Sequence, residues 1–157
     1  LSGLASLQRL NLSGCKGVTS IGLLGGSHLQ ELDLSGTKIT DAGLANVAAM
    51  TRIEILRLAY TPVTDTGLVH LRGLTELEEL DLGGTAITDA GVAHLKGLTG
   101  LRDLILMDTP VTDAGLAHLE GMIGLKRVEL IECTGVTASG ADKLKRALPK
   151  AEIVAEF

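Results

Sequence analysis

Three histidines recur at one spacing and are the first residues whose type suggests chemistry. His70, His94 and His118 lie 24 residues apart, and imidazole nitrogens are common zinc ligands. The equivalent positions of neighbouring segments hold Asn46 and Lys143, and no Cys, Asp or Glu completes a compact ligand set beside them. The spacing therefore favours a structural role near the C-terminal end of a helix, where positive charge is tolerated, over a metal site.

Four aspartates recur with the same period. Asp41, Asp65, Asp89 and Asp113 each follow a threonine. Paired carboxylates hydrolyse glycosides, but that chemistry needs a sugar cleft, usually with aromatic platforms, and this chain has one Tyr and one Phe. We interpret the aspartates as negative charge at the N-termini of short helices, where it is stabilising.

The motifs, the net charge and the lengths of the apolar stretches argue against several classes of function. The chain has no nucleophile elbow, phosphate-binding glycine loop or metalloprotease motif, so we expect no enzyme, no cofactor and no metal. With 14 Lys and Arg against 19 Asp and Glu, the net charge of -5 does not suit nucleic-acid phosphates. No apolar stretch approaches the length of about 18 residues that a membrane span needs. We therefore expect neither a nucleic-acid nor a membrane partner.

Two cysteines continue a column of small polar residues. Thr37, Thr61, Thr85 and Thr109 occupy one position of successive segments, and Cys15 and Cys133 take the same position in the first and last. We expect these side chains to turn inward, to be buried and to bond to the loop backbone of the adjacent turn. Five strand spacings, about 24 Å, then separate the cysteines and exclude a disulfide between them. Two unpaired thiols point towards a reducing, cytoplasmic compartment.

These positions belong to an internal repeat. The pattern L-x-x-L-x-L begins near residues 7, 29, 53, 77, 101 and 125, so the last five copies are 24 residues apart. After each of the four central copies follows Thr-x-(Ile/Val)-Thr-Asp-x-Gly-(Leu/Val). Leucines that alternate with other residues predict a short strand with one face turned inward. The Thr-Asp step predicts the start of a short helix, and Gly73, Gly97 and Gly121 are expected to end it.

One such unit is too small to bury its own apolar face, so the units must stack. The composition agrees, because the chain has 30 Leu and 20 Gly but almost no aromatic rings. We therefore expect a single α/β domain over residues 1–157, a solenoid with six to seven short parallel strands on one face and short helices on the other.

The repeat resembles that of a known family. Leu77–Gly100 (LEELDLGGTAITDAGVAHLKGLTG) is the clearest copy of LxxLxLxxTxITDAGLxHLxGLTx, which resembles the 24-residue leucine-rich repeats common in bacterial proteins. The resemblance extends from about Leu4 to Lys150. Two segments, Leu12–Ser20 and Leu130–Ser139, have Cys for Thr and one added residue, and these resemble the cysteine-containing repeats of F-box-type proteins.

The resemblance implies a right-handed horseshoe whose concave strand face binds a protein partner. The function predicted first is accordingly a non-enzymatic protein-binding module. Two alternatives stay open. One is a substrate-recognition arm of a ubiquitin-ligase-like assembly, which only the two cysteine-type repeats suggest. The other is an architectural or engineered scaffold with no dedicated ligand.

The outward strand positions are the ones that the repeat does not dictate, and they differ from copy to copy. Four carboxylates, Glu31, Asp33, Glu79 and Asp81, flank Arg57. Arg57, between Asp33 and Asp81, is either part of a cross-strand charge ladder or part of a binding site. Ile105, Met107 and Ile131 are expected to form an apolar spot inside a charged rim, as binding hot spots do. The expected rim residues are Asp103, Asp108, Arg127 and Glu129. Tyr60 is the candidate anchor outside that spot. The candidate partner-binding residues are Ile55, Arg57, Tyr60, Asp81, Asp103, Ile105, Met107, Arg127, Glu129 and Ile131.

The two ends of the chain differ in how well they cover the core. At the C-terminus we expect a cap over about residues 141–157, with a polar, basic helix at Ala141–Lys150 followed by an edge strand in AEIV. At the N-terminus LSGLASLQRL has no polar cap, and the first helical segment, Ile21–Ser27, is short and glycine-rich. We therefore expect the chain to be a piece of a longer protein, or its first repeat to pack on another copy.

Overall fold

The repeats stack so that each contributes one strand to a single parallel sheet. The computed structural model describes residues 6–22 and 28–156, and the strands in these residues are arranged in chain order. Every neighbouring pair is parallel. This confirms the predicted α/β solenoid with a parallel sheet. The strands are β1 (Arg9–Asn11), β2 (Glu31–Asp33), β3 (Ile55–Arg57), β4 (Glu79–Asp81), β5 (Asp103–Ile105), β6 (Arg127–Glu129) and β7 (Glu152–Val154).

Short helices connect the strands from β2 onwards. The α-helices are α1 (Asp41–Leu44), α2 (Asp65–Leu68), α3 (Asp89–Val92), α4 (Asp113–Leu116) and α5 (Ala138–Ala147). The first three continue into 3₁₀ helices at Ala45–Ala49, Val69–Leu71 and Ala93–Gly97. A threonine in extended conformation precedes each of these α-helices, and α1 to α4 begin at the Thr-Asp step, as predicted. The hydroxyls of Thr40, Thr88, Thr112 and Thr137 accept a backbone N–H of the first turn.

The core lies between the sheet and the helices and consists of aliphatic side chains. In β2 to β6 the central residue of each strand is buried and the two flanking residues are half-buried. Burying one leucine contributes about 1.5–3 kcal/mol relative to leaving it in water, which is why the repeat needs its leucines in register. The central residues that stack from strand to strand are Leu10, Leu32, Leu56, Leu80, Leu104, Val128 and Ile153.

The threonines at the strand ends are buried, as predicted, but they bond within their own turn. The hydroxyl of Thr37 donates to the carbonyl oxygen of Leu34 at 2.7 Å. Thr61, Thr85 and Thr109 repeat this bond to the leucine three residues earlier. The predicted bond to the adjacent turn is therefore wrong for the threonines, because the strand-end carbonyl of their own repeat is closer.

The two cysteines differ in burial. Cys133 is buried, and its Sγ lies 3.0 Å from the carbonyl oxygen of Leu106 in the adjacent turn. Cys15 is exposed, so the prediction that both thiols are buried is wrong. Leu10 and Leu12, beside it, are only partly buried. The physical reason is that β1 pairs only with β2 among the described residues. The turn that follows β1 and contains Cys15 is therefore covered by a neighbouring repeat on one side only.

The recurring aspartates join each repeat to the next. The Oδ1 atom of Asp89 accepts the backbone N–H of Thr112 at 2.8 Å, and its Oδ2 atom accepts the Thr112 hydroxyl at 2.7 Å. The aspartates do lie in the first helical turn, as predicted, but their carboxylates serve the following repeat. The same pair of bonds is made from Asp41 to Thr64, from Asp65 to Thr88 and from Asp113 to Thr137.

The glycine of the Thr-Asp-x-Gly motif makes room for this carboxylate. A Cβ atom built at Gly115 would overlap Oδ1 of Asp89, and the same conflict arises at Gly67, Gly91 and Gly140 with the aspartate of the preceding repeat. The motif therefore forms one contact between successive repeats, in which the aspartate of one repeat packs against the threonine and the glycine of the next.

Hydrogen bonding makes the last of these carboxylates more acidic. The backbone N–H of Thr137 makes the larger contribution and its hydroxyl the smaller one, and both lower the pKa of Asp113. Its contribution to stability is therefore present above the pKa of the unfolded chain and is lost as the pH falls through the lower folded value. The equivalent residue of the final repeat is Ala138, so the series of aspartate–threonine contacts ends at Thr137.

The segment predicted from the sequence to be a C-terminal cap contains a helix and a strand. Helix α5 begins at Ala138, three residues before the predicted start, and the expected edge strand is β7. Of the three glycines predicted to end helices, Gly97 is the last residue of its 3₁₀ helix. The helix before Gly73 ends two residues earlier, at Leu71, and α4 ends at Leu116, before Gly121. Most of the predicted N-terminal helical segment (residues 23–27) and the first five residues lie outside the described residues. Within the described ranges no helix has both the length and the apolar character that crossing a bilayer requires.

Candidate binding face of the sheet

One face of the sheet is not covered by the helices, and the register of the strands arranges its side chains in columns. We call the following four columns the strand face. The first holds Arg9, Glu31, Ile55, Glu79, Asp103, Arg127 and Glu152, and the second Asn11, Asp33, Arg57, Asp81, Ile105, Glu129 and Val154. The third holds Ser13, Ser35, Ala59, Gly83, Met107 and Ile131, and the fourth Gly14, Gly36, Tyr60, Gly84, Asp108 and Glu132.

Backbone hydrogen bonds extend this register beyond the strands themselves. The Tyr60 N–H donates to the Gly83 carbonyl at 2.7 Å, and the Gly84 N–H donates to the Met107 carbonyl at 2.8 Å. The Asp108 N–H continues the series to the Ile131 carbonyl at 2.9 Å. The third and fourth columns are therefore held by the same ladder as the first two, which makes the strand face continuous up to its edge.

Arg57 is paired with Glu31 and Glu79, two of the four carboxylates expected to flank it. Its Nη1 lies 2.7 Å from Glu31, and its Nε and Nη2 lie 2.9 and 2.8 Å from Oε1 of Glu79. Its salt bridges therefore cross to both neighbouring strands, but they run to the first column and not to Asp33 and Asp81, because the long side chain reaches diagonally. Burial lowers the pKa of Arg57, but its bonds to the two glutamates outweigh that effect and raise it.

Asp33 and Asp81 bind backbone instead. The Asp81 carboxylate accepts the Gly83 N–H at 2.9 Å, and Asp33 accepts the Ser35 N–H at the same distance. Burial is the main cause that raises the pKa of Asp81, and the carboxylates of Glu79 and Glu129 add to it. The Gly83 N–H and the charge of Arg57 oppose this rise without cancelling it. Asp81 is therefore a carboxylate whose charge the surrounding face does not fully compensate.

The three apolar candidates lie next to one another, as expected. Ile105 is the last residue of β5, and Met107 follows it by two residues. Ile131, two residues beyond the end of β6, lies beside Met107 through the backbone ladder that continues past the strands. All three are half-buried. Ile55, in the first column, lies between Glu31 and Glu79, apart from this group. We call Ile105, Met107 and Ile131 the apolar spot.

The residues predicted to surround the spot fall into two groups. Arg127 pairs with Glu129 on its own strand and also approaches Glu152 of β7, with Nε 3.7 Å from the carboxylate. Asp103 and Asp108 have no salt bridge among the described residues. The rim therefore has one neutralised side and one side that is negatively charged.

The fourth column has a backbone property that the sequence did not reveal. Gly14, Gly36 and Gly84 have φ between +64° and +74°, and the non-glycine residues Tyr60, Asp108 and Glu132 adopt the same left-handed conformation, with φ of 54° to 60°. For L-residues this conformation costs about 1–2 kcal/mol. Only the alignment of these residues with the column's glycines could have indicated it.

Tyr60, the predicted anchor, is 59% exposed. Its ring lies against the backbone of Gly84, because a Cβ atom built there would overlap the ring carbons. The ring therefore extends from its own repeat across the next one, in the direction of Asp108.

The recurring histidines are on the helical side of the molecule. Nδ1 of His94 lies 2.6 Å from Nη2 of Arg72 on the preceding repeat. Among residues 6–22 and 28–156, no three His, Cys, Asp or Glu side chains are placed to hold a metal ion.

The class of protein follows from the fold and from comparisons with known proteins. A profile for the leucine-rich repeat matches residues 3–25, 27–48 and 74–95. No curated protein sequence matches the chain. These three segments are therefore leucine-rich repeats, and the chain has the α/β solenoid fold of leucine-rich repeat proteins, the fold of a protein-binding repeat module.

Solved structures place the chain beside particular bacterial proteins. Internalin C2 of Listeria monocytogenes is 27% identical with a TM-score of 0.71, and the match covers 87% of this chain and 54% of internalin C2. An internalin encoded by inlF in the same organism is 20% identical (TM-score 0.63), covering 98% of this chain and 49% of that one. A leucine-rich repeat protein of Leptospira interrogans is 20% identical (TM-score 0.59), covering 98% and 50%. The chain thus spans about half the length of each of these structures.

Proposed function

We propose that residues 1–157 form one non-enzymatic domain that recognises a protein partner through the strand face. The leucine-rich repeat fold supports a protein-binding role. The repeat pattern fixes the helices and core but leaves the strand face free to vary. The residues proposed to contact the partner are Ile55, Arg57, Tyr60, Asp81, Asp103, Ile105, Met107, Arg127, Glu129 and Ile131.

The apolar spot is the observation that supports this proposal most directly. On the uncovered side of a sheet, polar residues are the ordinary choice, as Asn11, Ser13 and Ser35 show in the first repeats. Ile105, Met107 and Ile131 instead keep part of their apolar surface in water. Apolar side chains grouped inside a polar rim are typical of the centre of a protein interface, where removal from water stabilises a complex.

Two matched substitutions test the proposal. A tagged chain is used to recover binding proteins from an extract of the organism that encodes it, in parallel with Ile105→Glu and Ile123→Glu variants. Ile123 is 84% exposed and is not part of the strand face, so its variant introduces the same charge elsewhere. We expect Ile105→Glu to lose the specific partner and Ile123→Glu to retain it.

Equal recovery by the two variants would contradict the strand-face proposal, and loss with Ile123→Glu alone would assign binding to another surface. Recovery of no specific partner by the wild-type chain would favour the scaffold alternative. A recovered ubiquitin-ligase subunit would favour the substrate-recognition alternative, which rests on the cysteine-type repeats only. Self-association through the first repeat is tested separately, by the dependence of the molar mass in light scattering on protein concentration.

A further inference from the structure

The strand face has a strongly uneven charge. It includes nine carboxylate side chains and three arginines, which give it a net charge of -6, whereas the whole chain has -5. The remaining residues, with 11 Lys and Arg and 10 Asp and Glu, are close to neutral. The negative charge of this protein is therefore a property of the strand face.

Much of that charge is not neutralised within the chain. The three arginines pair with Glu31, Glu79, Glu129 and Glu152. Asp81, Asp103, Asp108 and Glu132 make no salt bridge with any described residue.

These four carboxylates border the apolar spot. Asp81 is the register partner of Ile105 in the second column, and Asp103 lies on the same strand as Ile105. Asp108 follows Met107 in the chain and bonds to the backbone of Ile131, and Glu132 follows Ile131. The apolar spot and the uncompensated negative charge therefore occupy one continuous area.

Two further features of this area favour a cation. Burial and neighbouring carboxylates raise the pKa of Asp81, so an incoming positive charge would relieve an unfavourable interaction that already exists. The exposed ring of Tyr60 lies over Gly84, between its own repeat and that of Asp108. An aromatic face beside carboxylates is a favourable site for a guanidinium or ammonium group.

Resting on the proposed function, we propose that the strand face binds a basic polypeptide segment. An apolar side chain of that segment sits on Ile105, Met107 and Ile131, and its Lys or Arg side chains pair with Asp81, Asp108 and Glu132. The apolar spot fixes where the segment lies, and the charge complementarity selects which segments bind.

The experiment uses random dodecapeptides displayed on phage and selected on the immobilised chain. The enriched sequences are then synthesised, and their affinities are measured by fluorescence anisotropy. We expect enriched peptides to have a net positive charge and at least one large apolar residue, and their affinity to fall as NaCl is raised.

Two sets of variants locate the binding site. Ile105→Glu should weaken binding at least about tenfold, and the double variant Asp108→Asn/Glu132→Gln should weaken it about three- to tenfold. The amides preserve the shape of the carboxylates, and asparagine tolerates the left-handed conformation at residue 108. The matched control is Asp142→Asn, which removes one exposed carboxylate from α5. Circular dichroism and thermal unfolding confirm that each variant is folded.

The outcomes separate the two proposals. Neutral or acidic peptides whose binding is lost in Ile105→Glu would overturn the inference about charge and leave the strand-face function in place. Basic peptides that bind equally to all variants would overturn both. Enrichment of no peptide would also overturn the inference, since a linear basic segment would then not suffice for binding.

Discussion

Asp89 offers the sharpest test of how the repeats are joined. Its carboxylate accepts both the backbone N–H and the hydroxyl of Thr112, which belongs to the next repeat. Replacing Asp89 by alanine removes both acceptors and leaves a half-buried N–H without its partner. The fold predicts that this change destabilises the chain although it touches no core leucine.

The size of the effect follows from the two bonds. A hydrogen bond to a charged group contributes about 1.5–3 kcal/mol, and partial access to water reduces this value. For both bonds together we expect Asp89→Ala to lower the free energy of unfolding by about 2–3 kcal/mol. In a chain of this size the midpoint of thermal unfolding should fall by roughly 5–10 °C.

Equilibrium unfolding in urea, followed by circular dichroism, measures the change. A constant slope of free energy against urea shows whether the variant still unfolds as one unit. Asp142→Ala on α5 is the control, because this exposed aspartate makes no side-chain hydrogen bond or salt bridge with another described residue. It should shift the free energy of unfolding by no more than about 0.5 kcal/mol. An Asp89→Ala variant as stable as this control would refute the reasoning.

A second substitution checks the same contact from the other side. Gly115→Ala places a methyl group against Oδ1 of Asp89 and 2.9 Å from Val111, and we expect it to cost about 1–3 kcal/mol. In the Asp89→Ala background the cost should be smaller, because the carboxylate is gone. Equal costs in the two backgrounds would show that the glycine is needed for another reason.

Three further predictions concern other parts of the molecule. Burial raises the pKa of Asp81, so the stability linked to the protonated Asp81 carboxyl is present below the pKa of the unfolded chain and is lost as the pH rises through the folded value. Asp81→Asn should therefore raise the free energy of unfolding in urea at pH 7 but not at pH 3. An equal change in the free energy of unfolding at the two pH values would contradict this prediction. Glu132→Gly should raise the free energy of unfolding by about 0.5–1 kcal/mol, because glycine removes left-handed strain at some cost in chain entropy; no gain would mean that the side chain makes compensating contacts. Cys15 should react with Ellman's reagent in the folded protein and Cys133 only on unfolding, since one is exposed and the other buried, and two fast thiols would refute this assignment.

The fold could be predicted from the sequence because the pattern that determines it lies within one 24-residue unit and recurs in each unit. Leucines at fixed spacing determine the strands, and their equal spacing determines the register, so Leu32, Leu56 and Leu80 align as expected. The helix starts followed from the Thr-Asp step for the same reason. The apolar spot also followed, because neighbouring positions in a column require only a correct register.

Contacts between repeats were harder to predict than positions within them. Thr112 lies 23 residues after Asp89, so a local interpretation of the aspartate as helix-end charge missed its partner. The side chain of Arg57 is long enough to reach either of two columns, and only its conformation selects Glu31 and Glu79. Cys15 departs from its column because the first strand lacks a neighbour on one side among the described residues. In each case the decisive factor is three-dimensional reach, which spacing alone does not define.

The aspartate–threonine contact has a direction, and this bears on how such a chain could have grown during evolution. Each central repeat presents a threonine to the repeat before it and an aspartate to the repeat after it. A tandem duplication of the 24 residues 64–87 would therefore insert a unit that is complementary at both of its boundaries. Lengthening the solenoid in this way requires no new contact to arise, and the side chains of the added strand are then free to diverge.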